Sequence, residues 1–182
     1  NRTILVAAVT LLGTIALCLY AIHDSTRARL VGETQEWTTQ GRLHVLESNL
    51  AFDLERAEVL RVFESEIQRA RPGIESGKPD SYARFALAAT DKYPEVDPLL
   101  LLALGIVESR YDEGAVSHAD ARGLYQILPS TGRRLAEDMG FEYRKEILFD
   151  PRVNTEMAVH YMHNLIEDHE DLQLALAEYN GG

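Results

Sequence analysis

The sequence predicts an all-α protein in which a transmembrane helix and a long amphipathic helix precede a compact helical domain. Three observations carry this reading. Residues 4–22 form an almost unbroken apolar run, apolar residues recur at intervals of three and four from Leu43 to Ala70, and the segments after Asp80 have helical spacing with no alternating strand pattern. At 182 residues, 46% hydrophobic and 26% charged, the chain has material for one ordinary domain and a smaller appendage. The expected division is an anchor at 1–23, a helical stalk and linker at 24–79, and a globular domain at 80–182.

From Ile4 to Ile22 every residue is apolar or small apart from Thr10 and Thr14, and a helix needs about 20 such residues to cross the hydrocarbon core of a bilayer. A cleavable secretion signal would have a shorter apolar run and a small-x-small site, whereas this run ends in Tyr20-Ala21-Ile22-His23. An uncleaved anchor through residues 4–22 is therefore expected. Cys18 is the only cysteine, so the chain can form no internal disulfide and no cysteine metal cluster. Leu17 stands before it where a lipidation site would want a small residue, and Cys18 is read as a small apolar residue of the span.

Next come Leu43, Leu46, Leu50, Leu54, Ala57, Leu60, Phe63, Ile67 and Ala70, one stripe on a helix whose other faces carry Glu47, Asp53, Glu55, Arg56, Arg61 and Glu66. About 29 residues at 1.5 Å each would reach roughly 43 Å, enough for a stalk. The stripe has two readings of equal standing, packing on the following domain or pairing with another chain's helix. Arg71-Pro72-Gly73 stops the helix, and Ser76-Gly77-Lys78-Pro79 reads as a linker.

Helices are then expected over Ser81 to Lys92, Pro98 to Ser109, Pro129 to Met139, Pro151 to Asp168 and Leu172 to Tyr179, with prolines or small polar residues at most starts and Gly140 after one end. Pro98 to Gly105 is nearly all aliphatic, so that helix must be buried. Its last turn carries Glu108. A carboxylate there either points to solvent or is half-buried, and half-burial raises its pKa until it can donate a proton near neutrality.

Composition removes several classes of function. Acidic residues outnumber basic ones 29 to 18, a formal net charge of -11 that opposes nucleic acid and anionic headgroups. His160 and His163 stand three apart on a helix, but no third ligand is evident, so no metal and no cofactor is expected.

Four ordered segments resemble the soluble lytic transglycosylase family of the lysozyme superfamily. They are Val107-Glu108-Ser109-Arg110-Tyr111 with Ala115-Val116-Ser117; Ala121 to Thr131, which contains Gly123-Leu124-Tyr125-Gln126; Phe149-Asp150-Pro151 with Asn154; and Ala177-Glu178-Tyr179-Asn180-Gly181-Gly182. The likeness runs from Val96 to Gly182 and leaves out the span and the stalk.

The resemblance implies a lysozyme-like helical domain that cuts peptidoglycan strands. It implies that Glu108 is the catalytic acid and base, that Ser109 helps position its carboxyl, and that Ser117 lines the cleft. Gly123, Leu124 and Gln126 match a segment in which the glycine allows close backbone approach and the glutamine contacts sugar. Tyr179 and Asn180 match a pair facing the glutamate. Tyr125 replaces a frequent methionine and is expected to narrow a sugar subsite or offer it a hydroxyl. The family's reaction needs one carboxylate, because the substrate's acetamido group and 6-hydroxyl supply the second function, giving a 1,6-anhydro ring.

Asp120 replaces a frequent glycine and is the candidate second carboxylate for a water-using enzyme resembling goose-type lysozyme. A further alternative is a glycan-binding or structural subunit of an envelope-spanning machine, with partners on the stalk. In the favoured reading the domain lies outside the cytoplasmic membrane, in the periplasm or facing the wall. The family's domain normally continues past its tyrosine-asparagine motif, so more helices are expected after Gly182.

Overall fold

In the computed structural model, main-chain structure is described for residues 2–169 and 171–181, and side chains for 24–27, 29, 38, 40–169 and 171–181. The fold is helical, with no strand among the described residues. Its elements are α1 (Arg2–Ala70), α2 (Lys78–Thr90), α3 (Pro98–Glu108), α4 (Pro129–Asp138), a 3-10 helix (Lys145–Phe149), α5 (Pro151–His169) and α6 (Leu172–Gly181). No helix among the described residues is long and apolar enough to cross a membrane. The expected span, residues 4–22, lies outside the residues whose side chains are described.

The chain divides by packing into two compact units, Asn1–Leu54 and Glu55–Gly182. In the first, Leu43, Leu46 and Leu50 are exposed, as is Leu54 at its end. In the second, the same stripe turns inward: Phe63 and Ile67 are fully buried in the core, with Val59, Leu60 and Val62 partly buried against it. The second unit thus reaches back from Asp80 to Glu55.

Local signals explain where the helices begin. Asp97 caps α3 by accepting from Leu99 N at 2.7 Å, with Pro98 in the first turn where no N–H is needed. Asp150 does the same for α5, accepting from Val153 N at 3.0 Å ahead of Pro151. α5 is the central element and packs against α2, α4, α6 and the 3-10 helix. Its buried Met157, Ala158, Val159, Met162 and Leu165 meet Leu101 and Leu104 of α3 and Leu135 of α4 in one core. Full burial of one such aliphatic side chain contributes about 1.5–3 kcal/mol.

The loop between α3 and α4 holds the irregular part of the fold. Isolated bridges pair Val116 with Arg122 and Arg122 with Ile127. Arg122 N and Ile127 N donate to each other's carbonyls at 3.0 Å, while Ser117 N donates to Ala121 O at 3.0 Å. These bonds make a small double-looped platform beside the end of α3.

Candidate active site

A cleft of about 330 Å³ opens between the end of α3, the platform and α6. Glu108, Ser117, Gln126, Tyr161, Tyr179 and Asn180 are among the residues lining it. Of the residues singled out in the sequence, five meet here: Glu108, Ser117, Gln126, Tyr179 and Asn180.

Glu108 is half-buried in the last turn of α3, and burial pushes its carboxyl pKa above the ordinary value. No ion pair or hydrogen bond holds this carboxylate among the described residues, and it is the one carboxylate in the lining. The negative end of the helix dipole acts in the same direction as burial. A carboxyl so placed keeps its proton to higher pH than a surface glutamate.

Two amides in the cleft lining have their NH2 groups committed to main-chain carbonyls. Gln126 Nε2 donates to Gly123 O at 3.0 Å and Ala115 O at 3.3 Å, which commits the NH2 group to the platform and leaves Oε1 open. Asn180 Nδ2 donates to Leu176 O at 3.0 Å, leaving Oδ1 open in the same way. Tyr179 forms wall rather than donor: its hydroxyl donates to Tyr125 O at 3.0 Å, its ring packs 5.2 Å from that of Tyr161, and burial holds its phenol pKa well up.

Several expectations are corrected by the geometry. Ser109 does not orient the Glu108 carboxyl, because its hydroxyl donates to Leu124 O at 2.7 Å and accepts from Asp112 N at 3.2 Å. It ties the end of α3 to the platform. Leu124 and Tyr125 are fully buried in the core and do not line the cleft. Tyr125 packs edge-on against Tyr111 at 6.3 Å and narrows no subsite. Gly123 is buried against protein, not sugar: at φ +77°, a Cβ there would stand 2.2 Å from Leu148 O and 2.7 Å from Asn154 Nδ2.

Asp120 is also displaced from the expected role. Its carboxylate pairs with Lys145 at 2.6 Å and Arg122 at 3.0 Å, and these partners hold its pKa below the ordinary value. It is not among the residues lining the cleft, and a carboxylate so engaged is a weak base. His160 Nδ1 meets the Tyr93 hydroxyl at 2.9 Å and His163 pairs with Glu95. No group of three His, Cys, Asp or Glu able to hold a metal occurs among the described residues.

Asn154 is the residue whose importance its motif understated. Fully buried, it donates to Leu148 O at 2.9 Å and Arg122 O at 3.0 Å and accepts from Tyr125 N at 2.8 Å. One side chain on α5 thereby holds two points of the platform and one of the 3-10 helix. Tyr161 was not anticipated either; it lies on α5, and nothing in its helical spacing separates a cleft residue from core.

The cleft thus brings together one half-buried carboxyl and the side chains of Gln126 and Asn180 on a helical domain. The chain belongs to the transglycosylase SLT family, whose domain matches residues 85–182. It is 36% identical over 88 residues to the membrane-bound lytic murein transglycosylase D of Escherichia coli (strain K12), covering 47% of this chain and 19% of that protein. It is 31% identical over 138 residues to the membrane-bound lytic murein transglycosylase C of Salmonella typhimurium, covering 70% of this chain and 38% of that one. The chain therefore spans well under half the length of these relatives.

Proposed function

We propose that this chain is a membrane-anchored lytic transglycosylase that cleaves the β-1,4 bond between N-acetylmuramic acid and N-acetylglucosamine in peptidoglycan, leaving 1,6-anhydromuramoyl ends. The observation that carries the reading is Glu108: a half-buried carboxyl with raised pKa, without a cationic partner, in the cleft of an SLT-family domain. As acid, Glu108 protonates the glycosidic oxygen. As base, the resulting carboxylate accepts the proton of the muramoyl 6-hydroxyl as that oxygen closes on the anomeric carbon, in keeping with microscopic reversibility. The substrate's acetamido group stabilises the cationic centre between the two steps, so no water is consumed and one carboxylate suffices.

The two open amide oxygens of Gln126 and Asn180 suit the hydroxyl and acetamido N–H donors of an amino-sugar chain. Ser117 offers a further exposed hydroxyl at the cleft. The ion pairs of Asp120 favour transglycosylation over hydrolysis, because they take the second carboxylate out of use. The anchor belongs to residues 4–22, on the strength of an apolar run interrupted only by Thr10 and Thr14, and a peptidoglycan substrate puts the domain on the periplasmic side of the cytoplasmic membrane. Residues 24–54 then serve as the stalk, open to partner proteins of the envelope.

The test is mass spectrometry of the muropeptides released from purified peptidoglycan, beside a Glu108→Gln control. Soluble products ending in 1,6-anhydromuramic acid, absent from the control, are expected. Reducing-end products would replace the lyase with a hydrolase, and no products from folded protein would leave a glycan-binding module.

A further inference from the structure

The turn after Glu108 is held from outside the family's matched region. Arg110 and Tyr111 both have positive φ, 52° and 58°, a left-handed conformation that is strained for any residue but glycine. Such a turn persists only where its surroundings over-determine it. Here it sends the Tyr111 ring back against α3. A Cβ on Gly105, one turn ahead of Glu108, would lie 2.7 Å from Tyr111 Cζ, so only glycine lets the ring sit there. Tyr111 N donates to Gly105 O at 3.3 Å, and the ring, 1% exposed, stacks on Tyr82 of α2 at 5.8 Å.

Polar bonds from the α1–α2 corner fasten Tyr111 and the two residues that follow it. Arg71 Nη1 donates to Tyr111 O at 2.9 Å and pairs with Asp112 at 3.0 Å. Lys78 Nζ and the Tyr82 hydroxyl donate to the two oxygens of Glu113 at 2.8 and 2.6 Å. Tyr111, Asp112 and Glu113 are thus each tied to residues 71–82. Arg71, Lys78 and Tyr82 all precede residue 85, where the match to the family's domain begins.

Resting on the role proposed above for Glu108, we infer that Arg71 is a positioning residue for it: by gripping the Tyr111 carbonyl, Arg71 keeps the left-handed turn wound and the Tyr111 ring under Gly105. The last turn of α3 is thereby fixed in height against the cleft. Arg71 touches no substrate. Its effect passes through the turn to the environment of one carboxyl.

The experiment tracks the Glu108 carboxyl by 13C NMR titration in the full chain, comparing the parent with Arg71→Ala, Arg71→Lys and, as a surface control, Arg84→Ala. Melting curves and steady-state rates on peptidoglycan accompany it. In Arg71→Ala the last turn loosens towards water, so the Glu108 pKa falls towards the ordinary glutamate value. Misplacement by an ångström or less lowers kcat about tenfold or more while KM stays within about twofold. Arg71→Lys, which keeps a donor and the charge, restores most of both effects, and Arg84→Ala shows neither.

A folded Arg71→Ala protein with an unmoved Glu108 titration would overturn the inference, as would a shift that Arg71→Lys fails to reverse. Should Arg71→Ala not fold, Asp112→Ala, which removes the ion pair orienting the guanidinium, must shift the titration the same way by a smaller amount; an unmoved value there overturns it equally. Loss of activity in the parent protein would sink the proposed function, but the titration would still decide the part played by Arg71.

Discussion

The Tyr179 hydroxyl donates to the main-chain carbonyl of Tyr125 at 3.0 Å, so that α6 is fastened to the platform next to Glu108. Tyr179 lines the cleft whereas Tyr125 is buried in the core, and the two stand 54 residues apart in the chain. Tyr179→Phe keeps the ring packing on Tyr161 and removes only this bond. It should cost about 1–2 kcal/mol in urea unfolding, because a largely buried carbonyl loses its donor, and should lower kcat through a looser wall.

Glu108 carries a linked prediction about pH. Its folded pKa is raised by burial, so the native state binds a proton more tightly than the unfolded chain does. The stabilising contribution is fully present below the unfolded glutamate pKa, near 4.5, and is lost as pH rises through the higher folded value. Glu108→Gln, which carries no charge, should therefore melt higher than the parent at pH 7 and about equally at pH 4, in paired thermal scans. The parent's rate should fall on the alkaline side with the same carboxyl pKa, because the proton donor is then lost.

Asn154→Ala should be among the most damaging single changes in the domain. It strips the Tyr125 N–H, the Leu148 carbonyl and the Arg122 carbonyl of their shared partner in a fully buried site. A loss of about 3–5 kcal/mol is expected from denaturant titration, from lost bonds and unpaired groups together. Asn154→Asp should rescue little, since a carboxylate cannot donate to two carbonyls.

Asp120→Asn should change little. Its ion pairs with Lys145 and Arg122 are formed by a solvent-exposed carboxylate and are screened by water, and the carboxylate is not part of the cleft lining. Melting temperature and peptidoglycan turnover should stay close to the parent's, and the anhydro products should be retained. Conversion to reducing-end products, or loss of all turnover, would return Asp120 to the catalytic set.

The helices were legible in the sequence because their ends carry strong local signals. Pro98, Pro129 and Pro151 stand in the first turns of α3, α4 and α5, as their missing N–H allows, and the ends of these three fall within a residue of the expected ones, whereas α2 starts three residues early and α6 ends two residues late. The 3-10 helix at Lys145–Phe149 was not foreseen, since five residues are too few to show a period. Side-chain direction in the platform was the larger failure. Arg110, Tyr111, Asp120 and Gln126 all take positive φ without being glycine, and each such residue redirects the chain beyond it in a way no spacing rule reports. Leu124 and Tyr125 sit in the motif beside Gln126 yet face the core, while Gln126 lines the cleft. Arg71 was invisible for another reason: the carbonyl it grips lies 40 residues further along.

The order of the cleft's parts along the chain bears on how it comes into being. Glu108 belongs to α3, whereas the wall opposite includes Tyr179, Asn180 and Gly181 of α6, which packs against α5. A ribosome delivers the acid roughly 70 residues before the wall, a lag of several seconds at ordinary rates of synthesis. During that interval the carboxyl exists without the wall opposite it, so the cleft is completed only once α6 has been made.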